Sequence, residues 1–287
     1  MMKMISVVIP AYNEEKTLKK TIEEIKKVFK KTKDYEIIVV DDCSSDNTKE
    51  VAMKCGVKVI SNPNNMGYGF SLKRGISEAK YETIVITDAD ATYPFDMVPE
   101  MLKKKEEGFD LVIGARTGKY YRQSIFKNFL RKLLKMLVEM VSGRKIKDIN
   151  SGLRIFDKST VVQYFPRLCN TFSFTTSQTL AYLMNNRFVT YVDITYRKRE
   201  GKSKIKLIRD SFRSLKYILE ACIYYNPLKI FSLLAMVCVI FSIIGFIFSH
   251  FLNIHAGYIL GIGGLLVSII VFALGLLAVL LKQIMDK

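Results

Sequence analysis

Through the first 115 residues, short apolar runs alternate with amphipathic stretches. The runs Ser6 to Pro10 (SVVIP), Glu36 to Val40 (EIIVV), Val57 to Ile60 (VKVI), Thr83 to Thr87 (TIVIT) and Asp110 to Gly114 (DLVIG) are strand-like. Between them the apolar positions take helical spacing, most clearly at Leu18, Ile22, Ile25 and Phe29, which share one face. Strands that are apolar on both sides and alternate with helices predict an α/β fold: a Rossmann-like, mostly parallel sheet with helices on both faces. In such sheets ligands bind beyond the carboxyl ends of the strands.

The pattern changes at the far end. Leu228 to Leu252 carries one charge, Lys229 at its start, and Tyr258 to Leu281 carries none. At about 1.5 Å rise per residue, either stretch spans the roughly 30 Å hydrocarbon core as a helix. Only Asn253 to Gly257 separates them, which predicts a tight transmembrane hairpin. Lys202, Lys204, Lys206, Arg209, Arg213 and Lys216 crowd the flank before the first span, Lys282 and Lys287 follow the second, and the connecting loop has no Lys or Arg. By the positive-inside rule both ends are then cytoplasmic. The N-terminal apolar run, Ile5 to Ile9, is too short for a signal peptide. The expectation is a multi-pass cell-membrane protein with a cytoplasmic α/β domain (1–200), a juxtamembrane amphipathic segment (201–227) and the hairpin (228–287). The spans also offer a surface for homo-oligomerisation.

Composition adds two constraints to a chain of 287 residues. The net charge of +17 favours an anionic leaflet. No zinc-finger spacing or RNP-type aromatic motif accompanies it, which argues against nucleic acid as partner. The cysteines, Cys43, Cys55, Cys169, Cys222 and Cys238, fall at unrelated spacings and suit neither a metal site nor a disulfide framework.

Candidate chemistry sits where the strands end. TDADATYP, Thr87 to Pro94, places Asp88 and Asp90 two residues apart at the end of the fourth run. Side chains at i and i+2 of an extended chain point the same way, so the pair can share one hard divalent cation or divide a metal and a ligand between them. Two solvated turn acids would look the same. The other strand ends carry Asn13 and Glu14, Asp41 and Asp42, Asn65 and Gly67, and Arg116. Gly67 and Gly69 begin a GxG, but Leu72 stands in the third glycine's place, so this is not the dinucleotide fingerprint. Gly201, Lys202 and Ser203 look like the end of a P-loop, yet Tyr196 stands where its first glycine should be. A nucleotide is the ligand expected, in neither an NAD nor a Walker-type site.

In order and spacing, PAYNE (Pro10 to Glu14), VVDDCSSDNT (Val39 to Thr48), NMGYG (Asn65 to Gly69), DADATYP and GAR (Gly114 to Arg116) resemble the family 2 glycosyltransferases with the GT-A fold. INSGLRIF (Ile149 to Phe156), YRKREGKSKI (Tyr196 to Ile205) and the C-terminal hairpin are similar to the dolichyl-phosphate mannose or glucose synthases and their bacterial polyprenyl-phosphate relatives. The resemblance implies a GDP- or UDP-hexose donor held by Pro10, Ala11, Tyr12, Glu14, Val39, Asp41, Asn65, Gly67, Asp88, Ala89, Asp90 and Arg116. It implies Mg2+ or Mn2+ on Asp88 and Asp90, with Asp90, Arg116, Lys202 and Lys204 catalytic and Asp42 structural. Thr92 departs from the pattern, replacing a Gln that helps ligate the metal.

On the acceptor side, Tyr121 to Val141 reads as a basic amphipathic helix, with Lys127 and Arg131 four apart and suited to a lipid phosphate. Arg197, Arg199, Ser203 and Lys204 extend the expected phosphate contacts into a basic loop whose glycine and serine favour closure on phosphates. From Lys158 to Val192 there is no Asp or Glu, so FSFTTSQ (Phe172 to Gln178) is expected to line the acceptor side, and Asp148 and Asp157 to be structural. The function expected is inverting transfer of a hexose from a nucleotide sugar to a polyprenyl phosphate at the bilayer. A transferase acting on a hydroxyl, and a non-catalytic membrane-anchored scaffold that binds nucleotide sugar, are the alternatives. A processive synthase would carry QxxRW, and the chain has no tryptophan.

Overall fold

The computed structural model describes residues 4–30, 34–118, 142–198, 223–252 and 255–285, with shorter pieces at 120, 132, 135–136, 138–140, 215–216 and 219–220. The chain divides into two compact units, Met1–Ile218 and Leu219–Lys287.

The five apolar runs become the strands β1 (Ile5–Ala11), β2 (Tyr35–Asp41), β3 (Lys58–Ser61), β4 (Thr83–Ile86) and β5 (Leu111–Thr117). Two more strands complete the sheet, β6 (Arg154–Asp157) and β7 (Val189–Thr195), in the order β3-β2-β1-β4-β6-β5-β7. All neighbours are parallel except β6, which runs antiparallel to both β4 and β5. β5 continues past its apolar run to Thr117 because it pairs with β7 along its whole length, from Leu111 with Val189 to Thr117 with Thr195.

Helices α1 (Leu18–Val28), α2 (Thr48–Lys54), α3 (Tyr68–Ser77), α4 (Val98–Glu106), α5 (Lys158–Tyr164) and α6 (Phe174–Met184) accompany the sheet. Alternate residues of β1 face opposite sides. Ile5, Val7 and Ile9 join Leu18, Ile22 and Ile25 of α1 and Met101 of α4 in one buried cluster. On the other face α3 lies directly on the sheet, since a Cβ at Gly75 would stand 2.5 Å from Val8 and 2.8 Å from Val40. This layering aligns the carboxyl ends of β1 to β5 along one edge. The antiparallel β6 brings its amino end, with Gly152 to Arg154, to that same edge.

The second unit holds α7 (Pro227–Leu252) and α8 (His255–Met285), both long and apolar enough to cross a membrane. α8 starts at His255, earlier than the expected Tyr258, because Gly257 belongs to its packing face. A Cβ there would lie 2.6 Å from the Gly245 carbonyl oxygen, the kind of close backbone approach small residues permit between membrane helices. Ser242 adds a hydrogen bond across the pair, donating its hydroxyl to the Gly261 carbonyl. α8 also runs beyond Leu281, where Lys282 Nζ donates to the Tyr225 carbonyl at 2.7 Å. Large apolar side chains face outward along both helices, Phe251 and Ile259 among the most exposed.

Candidate active site

Three strand ends carry a non-glycine residue in the left-handed region: Asn13 (φ 52) after β1, Cys43 (φ 61) after β2 and Ala91 (φ 54) after β4. Such backbone persists only where the surroundings fix it. After β1 and β2 the fixing bonds run between the two loops. Asn13 N–H donates to Ser44 Oγ at 3.0 Å, Ser45 N–H to Asn13 Oδ1 at 2.8 Å, and Glu14 N–H to Thr48 Oγ1 at 2.7 Å. Asp42 pulls in the third loop, accepting from the N–H groups of Met66 (2.9 Å) and Gly67 (2.8 Å) and from Asn62 Nδ2 (2.7 Å). Its neighbour Asp41 is buried at the end of β2 and accepts from Ser44 N–H at 3.3 Å.

Among the residues expected to hold the donor, Pro10 and Ala11 are buried and set the exit of β1, while Tyr12, Glu14 and Asn65 are accessible on the loops above. Val39 is wholly buried in the core, with its backbone paired to β1 and β3. Ala89 is also buried, and its carbonyl accepts from Thr21 of α1 at 3.1 Å, which fastens the turn between the two acids.

Each acid of the DxD pair is oriented by a hydroxyl. Tyr68 donates to Asp88 Oδ1 at 2.8 Å, and Thr92 donates to Asp90 Oδ1 through its hydroxyl and through its N–H at 3.2 Å. Thr92 therefore braces Asp90. Burial, with the charge of Asp88 beside it, lifts the Tyr68 phenol well above its ordinary range, so it stays a donor at neutral pH. Asp88 also packs against backbone, since a Cβ at Gly152 would stand 2.5 Å from Asp88 Oδ1. Gly152 is fixed in turn, its N–H donating to the Tyr93 hydroxyl at 2.6 Å.

Arg116 leaves β5 and meets Asp148 in a two-pronged pair, Nε to Oδ2 at 2.7 Å and Nη2 to Oδ1 at 2.9 Å. Its guanidinium also lies 5.5 Å from the ring centroid of Tyr196, which meets Tyr93 edge-on. Burial alone would raise the Asp148 carboxyl, but the Arg116 charge and hydrogen bonds hold it below its ordinary range. Asp148 is thus a brace for Arg116 and a poor proton acceptor. Asp157 is likewise engaged, by Lys105 Nζ at 2.7 Å.

The segment FSFTTSQ opens α6, and from Phe174 to Gln178 it is buried. Of its residues only Phe172 stands out, its ring stacked on Tyr68 with centroids 5.5 Å apart. Gly67 and Gly69 allow this approach: a Cβ would meet the Asn170 carbonyl oxygen at 2.9 Å and the Cys169 carbonyl oxygen at 2.2 Å, respectively. The NMGYG glycines thus dock the 168–172 loop. Arg154 is wholly buried beneath, donating to the carbonyls of Ile149 and Ser151, both at 2.7 Å, to Thr179 Oγ1 at 2.8 Å and to Gln178 Oε1 at 3.3 Å. Burial among these neutral acceptors lowers its pKa to about 10, and it remains a cation at neutral pH.

Arg197, an expected phosphate contact, is instead paired through Nη1 with both oxygens of Glu24 on α1, at 2.8 and 2.7 Å, while its N–H donates to the Thr92 carbonyl at 3.0 Å. Lys127, Arg131, Arg199, Lys202, Ser203 and Lys204 lie outside the described residues. Sequence reasoning passed over Tyr68, Gly152 and Arg154. Tyr68 and Gly152 stand inside the quoted motifs NMGYG and INSGLRIF, but only the fold brings them to Asp88.

Known proteins resemble this chain in sequence and in fold. An undecaprenyl-phosphate 4-deoxy-4-formamido-L-arabinose transferase of Serratia proteamaculans (strain 568) is 28% identical over 253 residues, covering 82% of this chain and 72% of that protein. The protein of the same name from Yersinia pestis (strain Pestoides F) is 28% identical over 265 residues, 86% of this chain and 75% of that one. The crystal structure of glucosyl-3-phosphoglycerate synthase from Mycobacterium tuberculosis with phosphoglyceric acid has a TM-score of 0.63 at 22% identity, over 77% of this chain and 80% of that one. The same enzyme with Mn2+, uridine diphosphate and glucosyl-3-phosphoglycerate gives 0.62 over the same shares. These structures share the fold. The sequence profile of glycosyl transferase family 2 matches residues 6–165, more than half of the chain and every strand end from β1 to β5, so the chain belongs to that family and is a glycosyltransferase of the GT-A fold.

Proposed function

We propose that the chain transfers a glycosyl group, a hexose in our reading, with inversion from a GDP- or UDP-sugar to a polyprenyl phosphate at a membrane. The observation that carries this is the state of the acids beyond the DxD pair. A sugar hydroxyl needs a base to remove its proton, whereas a phosphate monoester is already anionic near pH 7. Asp148 is neutralised by Arg116, Asp157 by Lys105, and no acid lies between Lys158 and Val192. An acceptor that brings its own negative charge suits such a site. The curated relatives carry undecaprenyl phosphate in their names, and the apolar hairpin suits a lipid substrate.

The residues present also fit a divalent cation. Among the described residues no cluster of three or more His, Cys, Asp or Glu gathers, so the chain offers the two oxygen donors Asp88 and Asp90. Hard cations such as Mg2+ are often bound by one or two carboxylates together with substrate phosphates. When bound, the cation would offset charge on the donor diphosphate. The mycobacterial neighbour has been crystallised with uridine diphosphate and either Mn2+ or Mg2+.

In the transfer itself an acceptor phosphate oxygen forms a bond to the anomeric carbon as the bond to the donor's diphosphate oxygen breaks on the opposite face. The electron pair leaves with the nucleoside diphosphate, and no proton need move. Arg116, held by Asp148 and Tyr196, is assigned the task of stabilising the diphosphate as its charge grows, as are Lys202 and Lys204. Tyr93 and Thr92 are buried and Tyr196 is half-buried, with Tyr93 and Tyr196 meeting edge to face beside Arg116. Membranes containing the chain, given radiolabelled UDP- and GDP-sugars with undecaprenyl or dolichyl phosphate, should form labelled lipid with at least one pair. No labelled lipid from any pair, with nucleotide-sugar binding retained, would favour a binding scaffold.

A further inference from the structure

Tyr68 opens α3 directly after Gly67, whose φ of 98° suits glycine. Its surroundings leave the phenol little freedom. Gly67 N–H is held by Asp42, Phe70 N–H donates to the Asn170 carbonyl at 2.9 Å, and Gly69 lies against the Cys169 carbonyl. The ring is stacked nearly parallel on Phe172, at 14°. From this fixed base the hydroxyl reaches Asp88 Oδ1 at 2.8 Å, while the Gly152 backbone lies close against the same carboxylate.

The terminal torsion of an aspartate is broad, so nothing intrinsic selects the direction in which its oxygens present lone pairs. With only two carboxylates on offer, the direction of each matters. Asp90 receives it from its near neighbour Thr92, two residues along the chain. Asp88 receives it from Tyr68, twenty residues away (separation 20), on a different element. We propose that Tyr68 is a positioning residue for Asp88, its hydroxyl orienting the carboxylate for the divalent cation and donor diphosphate. This role presupposes the metal-assisted transfer proposed above. Groups that orient metal ligands from the outer sphere commonly contribute roughly 10–100-fold in metal affinity.

The test is Mn2+ binding to the full-length chain in detergent, followed by the electron paramagnetic resonance of free Mn2+ with UDP or GDP present. Tyr68→Phe keeps the ring and its stack on Phe172 and removes only the hydroxyl. We expect Mn2+ affinity in the presence of nucleotide to fall about 10-fold, with the thermal midpoint and the KM for lipid acceptor unchanged. Wild-type Mn2+ affinity in Tyr68→Phe would overturn the role, as would a loss accompanied by a lowered thermal midpoint, which would make the hydroxyl merely structural. If the wild-type chain bound no Mn2+ with either nucleotide, the metal site itself would fall, and the role of Tyr68 with it.

Discussion

On the donor side of the site the loops after β1, β2 and β3 are held to one another by polar hydrogen bonds, such as Asn13 to Ser44 (separation 31) and Gly67 to Asp42 (separation 25). Opposite them, some contacts reach further: Tyr93 to Gly152 spans 59 residues and Lys73 to Asn170 spans 97. The near side is a set of polar loop residues that cap one another. The far side depends on bare backbone, with Gly69 against Cys169 and Gly152 against Asp88. Small polar changes should therefore be absorbed on the near side, while one methyl group on the far side should reach the chemistry.

The largest effect should come where the two sides meet. Asp90→Asn should lower kcat/KM by more than the roughly 100-fold that an outer-sphere partner can cost, measured at saturating Mn2+ or Mg2+. Near-normal turnover would remove Asp90 from the metal site. Gly152→Ala comes next. Its Cβ would collide with Asp88 Oδ1 at 2.5 Å, so activity should drop at least about 10-fold while donor-loop mutants such as Ser45→Ala stay close to wild type. Equal losses in the two would erase the contrast between the sides.

Asp148→Asn should chiefly affect stability. Removing one partner of a buried pair costs about 3 kcal/mol, read from denaturant unfolding of the first unit's transition. Because Arg116 holds the folded Asp148 below its ordinary range, the stabilisation is complete above the unfolded value of about 3.9 and is lost as pH falls through the lower folded value. The wild-type chain should thus lose more stability below pH ~4 than Asp148→Asn does. Gly69→Ala should cost about 1–3 kcal/mol through overpacking against the Cys169 carbonyl. The smallest effect belongs to Lys147→Ala, whose pair with Asp193 is exposed and should contribute under about 1 kcal/mol.

The same contrast explains what could be read from the sequence. The parallel half of the sheet was legible because β1, β2 and β4 are continuous apolar runs ending in polar loops. The DxD acids and Arg116 announced themselves by residue type at those ends. β6 was not legible, being four residues long and starting with a buried arginine, and β7 alternates as a half-exposed strand beside β5. Tyr68 could not be assigned to Asp88 because the register of α3 against β4 is set by nonlocal packing. The hairpin was legible by length and hydropathy, but its turn was not, because Gly257 reads as a loop residue until Gly245 is seen against it.

The chemical form of the product tests the central claim most directly. Labelled lipid made by the full-length chain from its preferred nucleotide sugar should release free sugar on mild acid treatment, as a glycosyl phosphate does, and its mass should equal polyprenyl phosphate plus one glycosyl residue. An acid-stable glycoside, formed at a rate that collapses in Asp148→Asn or Asp157→Asn, would show that the acceptor is a hydroxyl activated by a carboxylate and would contradict the account.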